Sequence, residues 1–182
     1  KQLNLKAAAL WEKLGEPEQS LHHSLEAGEH DKAADILAVM AMDLMNTSRI
    51  SFLYDNLSRL PEEVLGKHPW LAFDHAKILD LTGEYETAIK SYKTAASVFE
   101  EKGDVENQAR SLINRGWLLR RTGRPDEAAD CLTRGIEILP PNSRIRRKVA
   151  AIISSEYAIR GLSDESIRYQ NDALEGIDEL KD

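Results

Sequence analysis

At 182 residues the chain is long enough to bury one sizeable domain or a short repeat array, and 42% hydrophobic with 30% charged residues excludes both compositional disorder and a membrane-embedded body. The net charge of −7 is unevenly spread, at −8 over residues 1–108, +6 over 109–160 and −5 over 161–182. No window approaches the roughly 20 uncharged apolar residues of a membrane span. The opening KQLNLKAAALWEKLG interleaves charge with apolar residues, unlike a signal peptide. The single cysteine, Cys131, forms no internal disulfide, which fits a reducing cytoplasm and a role as a small core residue. Starting without Met and ending inside a helical pattern, the chain reads as a fragment of a longer protein.

Apolar residues recur at spacings of three and four nearly throughout, and no alternating β-branched run bounded by turn residues interrupts them, so the expected class is all-α. A first helix closes at Gly15-Glu16-Pro17, and a second runs from Pro17 to Ala27 and ends at Gly28. Leu60-Pro61 and His68-Pro69 mark the next breaks, followed by Gly83. Residues 97–112, SVFEEKGDVENQARSL, extend one helix to a Gly103-Asp104 turn that restarts the chain. Gly123-Arg124-Pro125, Pro140-Pro141-Asn142 and Gly161 complete the series. Glycine past a helix end takes the left-handed cap conformation, and proline suits the first turn of the following helix. Asp104, Ser143 and Ser163 stand where N-caps are wanted. About ten helices joined by short turns result, and such links force antiparallel hairpins.

The hairpins repeat. Gly83-x-Tyr85-x-x-Ala88-x-x-x-Tyr92-x-x-Ala95 is matched by Gly123, Pro125, Ala128, Leu132 and Gly135 at the same offsets. Gly161, Ser163, Ser166, Gln170 and Ala173 match it again, as do Gly15, Pro17, Ser20, Ser24 and Ala27. Seven residues before each glycine stands a small residue: Ala8, Ala76, Gly116 and Ser154. The first helix of each hairpin (A) and the second (B) therefore each present a small residue where their backbones are to cross. Gly83, Gly123 and Gly161 are spaced by 40 and 38 residues, a period typical of a solenoid whose hairpins bury their apolar faces on their neighbours. Tyr85 and Tyr92 are read as packing positions facing the neighbouring hairpin.

These positions resemble the tetratricopeptide repeat over residues 69–176, with Pro140 where that family's terminal proline belongs. The family's tryptophan early in helix A is missing, and the period exceeds its usual length. The resemblance implies an α-α superhelix of hairpins. Two parts are expected within one continuous domain: irregular hairpins over 1–68 and long-period repeats over 69–182.

The N-terminal part carries a further resemblance. Ala9, Trp11, Gly15, His22, Leu25, Ala27, Gly28 and Ala33, followed by Leu60, Pro61, Val64, Leu65, Pro69 and Leu71, resemble the helical region of MalT-type transcriptional activators, multidomain signal-transduction ATPases with a LuxR-type DNA-binding end. Ser20 replaces that family's usual alanine, and Asn56 stands where tryptophan is common. The resemblance implies a sensing and interaction region that binds an inducer or partner protein and controls oligomerisation, with nucleotide and DNA sites in other domains. The alternative is a general scaffold from another multidomain protein, with no small-molecule role.

Catalytic and metal chemistry find little support. The chain has no G-x-x-x-x-G-K-[ST] loop and no separate helix-turn-helix module after the repeats, so no nucleotide and no direct nucleic-acid binding is expected. His22 and His23 are expected on different faces of one helix and His30 in the turn that follows it, and the three lack zinc-motif spacing. Glu62-Glu63, Glu100-Glu101 and Asp178-Glu179 are adjacent pairs that diverge by about 100° on a helix and do not share a proton. No nucleophile elbow presents a serine. The expectation is a non-enzyme without cofactor or metal.

The basic run of residues 109–160 supplies the candidate site. Arg110, Trp117, Arg120 and Arg121 fall on helix-A positions that line the concave groove in the family, with Trp70, Phe73 and Lys77 one repeat earlier and Lys148 one repeat later. Arginine and aromatic side chains together suit an anionic peptide, a carboxylate or a sugar ring. The competing reading pairs these arginines with acidic residues of neighbouring helices and makes Trp70 and Trp117 half-buried packing residues.

Overall fold

A computed structural model of the chain describes residues 1–141, 143–159 and 161–174. Among these residues every regular element is a helix: α1 (Gln2–Lys13), α2 (Pro17–Ala27), α3 (His30–Asn46), α4 (Ile50–Leu57), α5 (Glu62–Leu65), α6 (Pro69–Thr82), α7 (Tyr85–Glu101), α8 (Val105–Arg121), α9 (Pro125–Glu137), α10 (Arg144–Ile159) and α11 (Ser163–Leu174). The all-α expectation holds, with eleven helices among the described residues because the stretch between Gly28 and Leu60 divides at Ser48 into α3 and α4. Asn142 and the Asp178-Glu179 pair lie outside the described residues.

The helix ends follow the glycines. Gly15, Gly28, Gly83, Gly103, Gly123 and Gly161 all take φ between 69° and 86°, the left-handed conformation that costs an L residue roughly 1–2 kcal/mol and glycine little. At α8 the Asp104 carboxylate accepts from the Asn107 amide at 3.2 Å, the expected cap. Ser143 Oγ similarly faces the Arg146 amide, at 3.4 Å. Ser163 differs: α11 already begins there, so Leu162 precedes the helix and Ser163 is its first residue.

The chain forms two compact units, Lys1–Val98 and a second starting at Phe99. In the first, α2 packs against both α1 and α3, closing one hairpin and opening the next. Its interior is leucine-rich, with Leu37, Leu53, Leu57 and Leu71 fully enclosed, each burial worth about 1.5–3 kcal/mol. Tyr92 of α7 is buried and meets Phe73 of α6 edge-on at 5.5 Å, so this tyrosine packs within its own hairpin.

In the second unit α8 pairs with α9, α10 with α11, and α9 with α10. Ala109, Ile113, Leu132, Ile136, Val149 and Ile153 form its centre, and Trp117 and Tyr157 pack against them half-buried. The small-residue positions explain how α8 and α9 approach. A Cβ on Gly116 would lie 2.7 Å from Leu132 Cγ and 3.2 Å from the Ala128 carbonyl oxygen, and one on Gly135 3.3 Å from the Ala109 carbonyl oxygen. Cys131 of α9 is buried, and that burial pushes its thiol pKa up, as suits core packing rather than reactivity.

Candidate functional site

The eight candidate residues fall into groups that α6, α8 and α10 position separately. On α6, Trp70, Phe73 and Lys77 follow one another at spacings of three and four and share a face. Trp70 is 49% exposed, and its ring meets Phe73 edge-on at 6.1 Å. Lys77 Nζ stands 6.0 Å from the Phe73 ring centre and 3.9 Å from Asp74 Oδ1. Burial raises the Asp74 carboxyl above its ordinary value, and the Lys77 charge opposes that rise. The face is thus an aromatic strip with a cation at one end, supported from beneath by Tyr92.

On α8 the structure brings Trp117 and Arg120 together, with the guanidinium carbon 5.9 Å from the indole centre. Cation–π contacts of this kind contribute about 0.5–1 kcal/mol at exposed sites. Arg121 is exposed one residue further. Arg110 donates to Glu106 at 2.7 Å, one turn back on the same helix, so this arginine does find an acidic partner, but not on a neighbouring helix. Lys148 on α10 is exposed.

Arg120 also borders a recess whose floor and walls are Pro125, Ala128, Ala129, Leu132, Ile153 and Tyr157. It combines an apolar lining with a guanidinium and a phenol at its edge. Tyr157 stacks on Tyr169 at 5.5 Å, with an interplanar angle of 7°, and its hydroxyl lies 3.4 Å from Thr133 Oγ1. Tyr157 is a site residue that spacing alone does not single out. Four residues before Gly161, it occupies the position held by buried Leu79 and Leu119 in the preceding repeats, and so reads as core.

Arg146 is the other unforeseen residue. It donates to the carbonyls of Ile136 and Leu139, at 3.3 and 3.0 Å, and to Asp172 of α11 at 2.7 Å. This basic side chain therefore ties the end of α9 to α10 and α11 and is a structural tie rather than a ligand contact. Other cations pair across helices in the same manner: Arg134 with Glu100 at 2.8 Å, and in the first unit Lys32 with Glu12 at 2.6 Å and Arg59 with Glu26 at 2.7 Å.

His23 Nδ1 lies 3.2 Å from Asn4 Oδ1, His22 meets His23 edge-on, and His30 opens α3 instead of lying in the turn before it. Among the described residues no three His, Cys, Asp or Glu side chains group as metal ligands, and no helix is long and apolar enough to cross a membrane.

Comparison with known proteins agrees with this architecture. Residues 69–140 match the tetratricopeptide repeat family. The chain is 29% identical over 158 residues to the HTH-type transcriptional regulator MalT of Yersinia enterocolitica, covering 85% of the chain and 18% of that protein. It is 28% identical over 157 residues to the MalT regulator of Serratia proteamaculans, covering 85% of the chain and 17% of that protein. The chain thus spans under a fifth of the length of these curated relatives. Among solved structures, MamA superposes with a TM-score of 0.67 at 16% identity over 95% of both chains. The tetratricopeptide-like repeats of a kinesin light chain from Podosopora anserina give 0.62 at 12% identity, over 99% of this chain and 96% of theirs. At those identities the likeness is one of fold: an α-solenoid class of tetratricopeptide-like hairpins.

Proposed function

We propose that this chain is the non-catalytic sensor and protein-interaction region of a cytoplasmic bacterial signal-transduction regulator of the MalT and LuxR type. It binds an inducer or partner protein on its helix-A faces and controls self-association. The observation that carries the reading is the similarity to MalT regulators along 85% of the chain, which a general scaffold role does not account for.

The helix-A faces supply suitable chemistry. Trp70, Phe73 and Lys77 on α6, Arg110, Trp117, Arg120 and Arg121 on α8, and Lys148 on α10 offer flat apolar surfaces beside cations. Such surfaces suit a sugar ring, a carboxylate or an acidic peptide. The action is non-covalent: an occupant that binds one arrangement of the helices more tightly shifts the population towards it, and with it the surface available for self-association.

A thermal-shift screen of sugars, amino acids and short acidic peptides on the chain, followed by sedimentation of each complex, tests this reading. Arg120→Glu combined with Arg121→Glu is expected to abolish binding on the α8 face while helical content is kept. Retained binding with unchanged affinity returns these arginines to a solvated face. At the level of the whole protein, the reading requires a phosphate-binding loop upstream and a helix-turn-helix downstream in the full reading frame.

A further inference from the structure

The first unit holds a cavity of about 180 Å³ among α5, α6 and α7, lined by none of the eight helix-A candidates. Leu60, Leu65 and Ala72 give it an apolar floor, and all three are buried. Thr87, Ser91 and Thr94, one helical turn apart along α7, bring hydroxyls to its wall. His75 lines it from α6, is itself 9% exposed, and has its Nδ1 buried without a hydrogen-bond partner. A buried polar nitrogen left without a partner costs about 1–3 kcal/mol.

Two exposed charges of opposite sign, Glu62 and Lys90, border the same cavity. A simple anion meets Glu62 and a simple cation meets Lys90, so the pair discriminates against both and favours a molecule carrying both charges. An open recess that shares Glu62, Lys90 and Thr94 and adds Lys93 and Ser97 adjoins it and gives a way in from solvent.

We propose that this cavity binds a small zwitterion with an aliphatic side chain, an α-amino acid of about the size of leucine. The carboxylate meets Lys90 and the α7 hydroxyls, the ammonium meets Glu62, and the side chain lies on Leu60, Leu65 and Ala72. His75 lines the wall as a neutral imidazole, because burial lowers its affinity for a proton. The site does not depend on the helix-A reading.

The test is an NMR titration of the ¹⁵N-labelled 182-residue chain with L-leucine, with 4-methylpentanoate, which lacks the ammonium, and with 3-methylbutylamine, which lacks the carboxylate. L-Leucine is expected to give saturable shifts at His75 and Ser91, and each analogue to bind at least about tenfold more weakly. Glu62→Gln and Lys90→Gln, both at exposed positions, are each expected to weaken leucine binding about tenfold or more with the helical signal unchanged. The Arg120→Glu, Arg121→Glu double variant is expected to bind leucine as the unsubstituted chain does, so this site and the α8 face fail or succeed separately. No saturable shift up to about 10 mM leucine, equal affinity for the three probes, or unchanged binding in both single variants overturns the proposal.

Discussion

The Ser20 hydroxyl donates to the Ala8 carbonyl at 3.0 Å, across the crossing of α1 and α2. The same bond recurs in the last hairpin, where Ser166 donates to the Ser154 carbonyl at 2.9 Å. Both serines stand five residues after a turn glycine, where the other hairpins carry Ala88 and Ala128. The position demands a small side chain, and a hydroxyl there gains a partner on the opposite backbone. Ser20→Ala is therefore expected to cost only about 0.5–1.5 kcal/mol, the net worth of one hydrogen bond. Ser20→Leu, like Ala88→Leu in the next copy, overpacks the crossing and costs about 1–3 kcal/mol or more. Chemical denaturation of the variants measures the difference, and a leucine variant as stable as the alanine one overturns the crossing argument.

Gly116 and Gly123 are seven residues apart on α8 and its following turn, and they resist substitution for different reasons. At Gly116 the backbone is helical and the obstacle is space, since a Cβ meets Leu132 Cγ at 2.7 Å and the Ala128 carbonyl at 3.2 Å. At Gly123 the surroundings are open and the obstacle is φ +78°. Gly123→Ala is expected to cost about 1–2 kcal/mol. Gly123→Asn, which tolerates the left-handed region, should recover part of that loss. Gly116→Ala is expected to cost about 1–3 kcal/mol, and no polar replacement rescues it. Melting temperatures of the three variants separate strain from overpacking.

The parts of the fold that were legible in the sequence are those fixed by local backbone needs or by the repeat. Turn glycines, the Asp104 cap and the small pairs at each crossing are of this kind, because a left-handed φ or a close backbone approach admits few residue types. Other features depend on tertiary placement and leave no local trace. Ser48 takes φ +60° between α3 and α4, where no glycine marks the break. Tyr157 shares a recess with Arg120 only because α10 packs on α9. By sequence Arg146 is one more cation in a basic stretch, and its carbonyl acceptors, Ile136 on α9 and Leu139 just past that helix, follow only from the folding back of α10.

Arg146 supplies a third prediction. Its fork reaches two carbonyls near the end of α9 and the Asp172 carboxylate on α11 at once, with the side chain 15% exposed and that of Asp172 21%. Arg146→Ala leaves those acceptors without their donor in a poorly solvated place and is expected to destabilise by roughly 1–3 kcal/mol. Arg146→Lys keeps the charge but cannot serve all three acceptors, so it should recover only part of the loss. Hydrogen exchange is expected to quicken in α11 more than in α1–α4. Uniform exchange across the chain in Arg146→Ala argues against the tie.

His75 gives a pH dependence with a definite sign. Burial lowers its pKa below the ordinary 6.5, and the Glu84 charge only partly opposes this. As pH falls through 6.5 the unfolded imidazole takes up a proton before the native one does, so the unfolded state binds more protons and stability declines. The contribution is complete above that value and is lost towards acid. The paired carboxylates Glu18, Asp31 and Glu127, whose values are lowered by hydrogen bonds from Arg49, Lys67 and Arg124, act in a more acidic window. Stability contributed by these three is lost only below their ordinary values of 4.5, 3.8 and 4.5. Melting temperature should therefore fall between pH of about 7 and 5.5, and His75→Gln, which carries no titrating ring, should flatten that fall. A His75→Gln chain that loses as much stability over the same interval assigns the titration to another group.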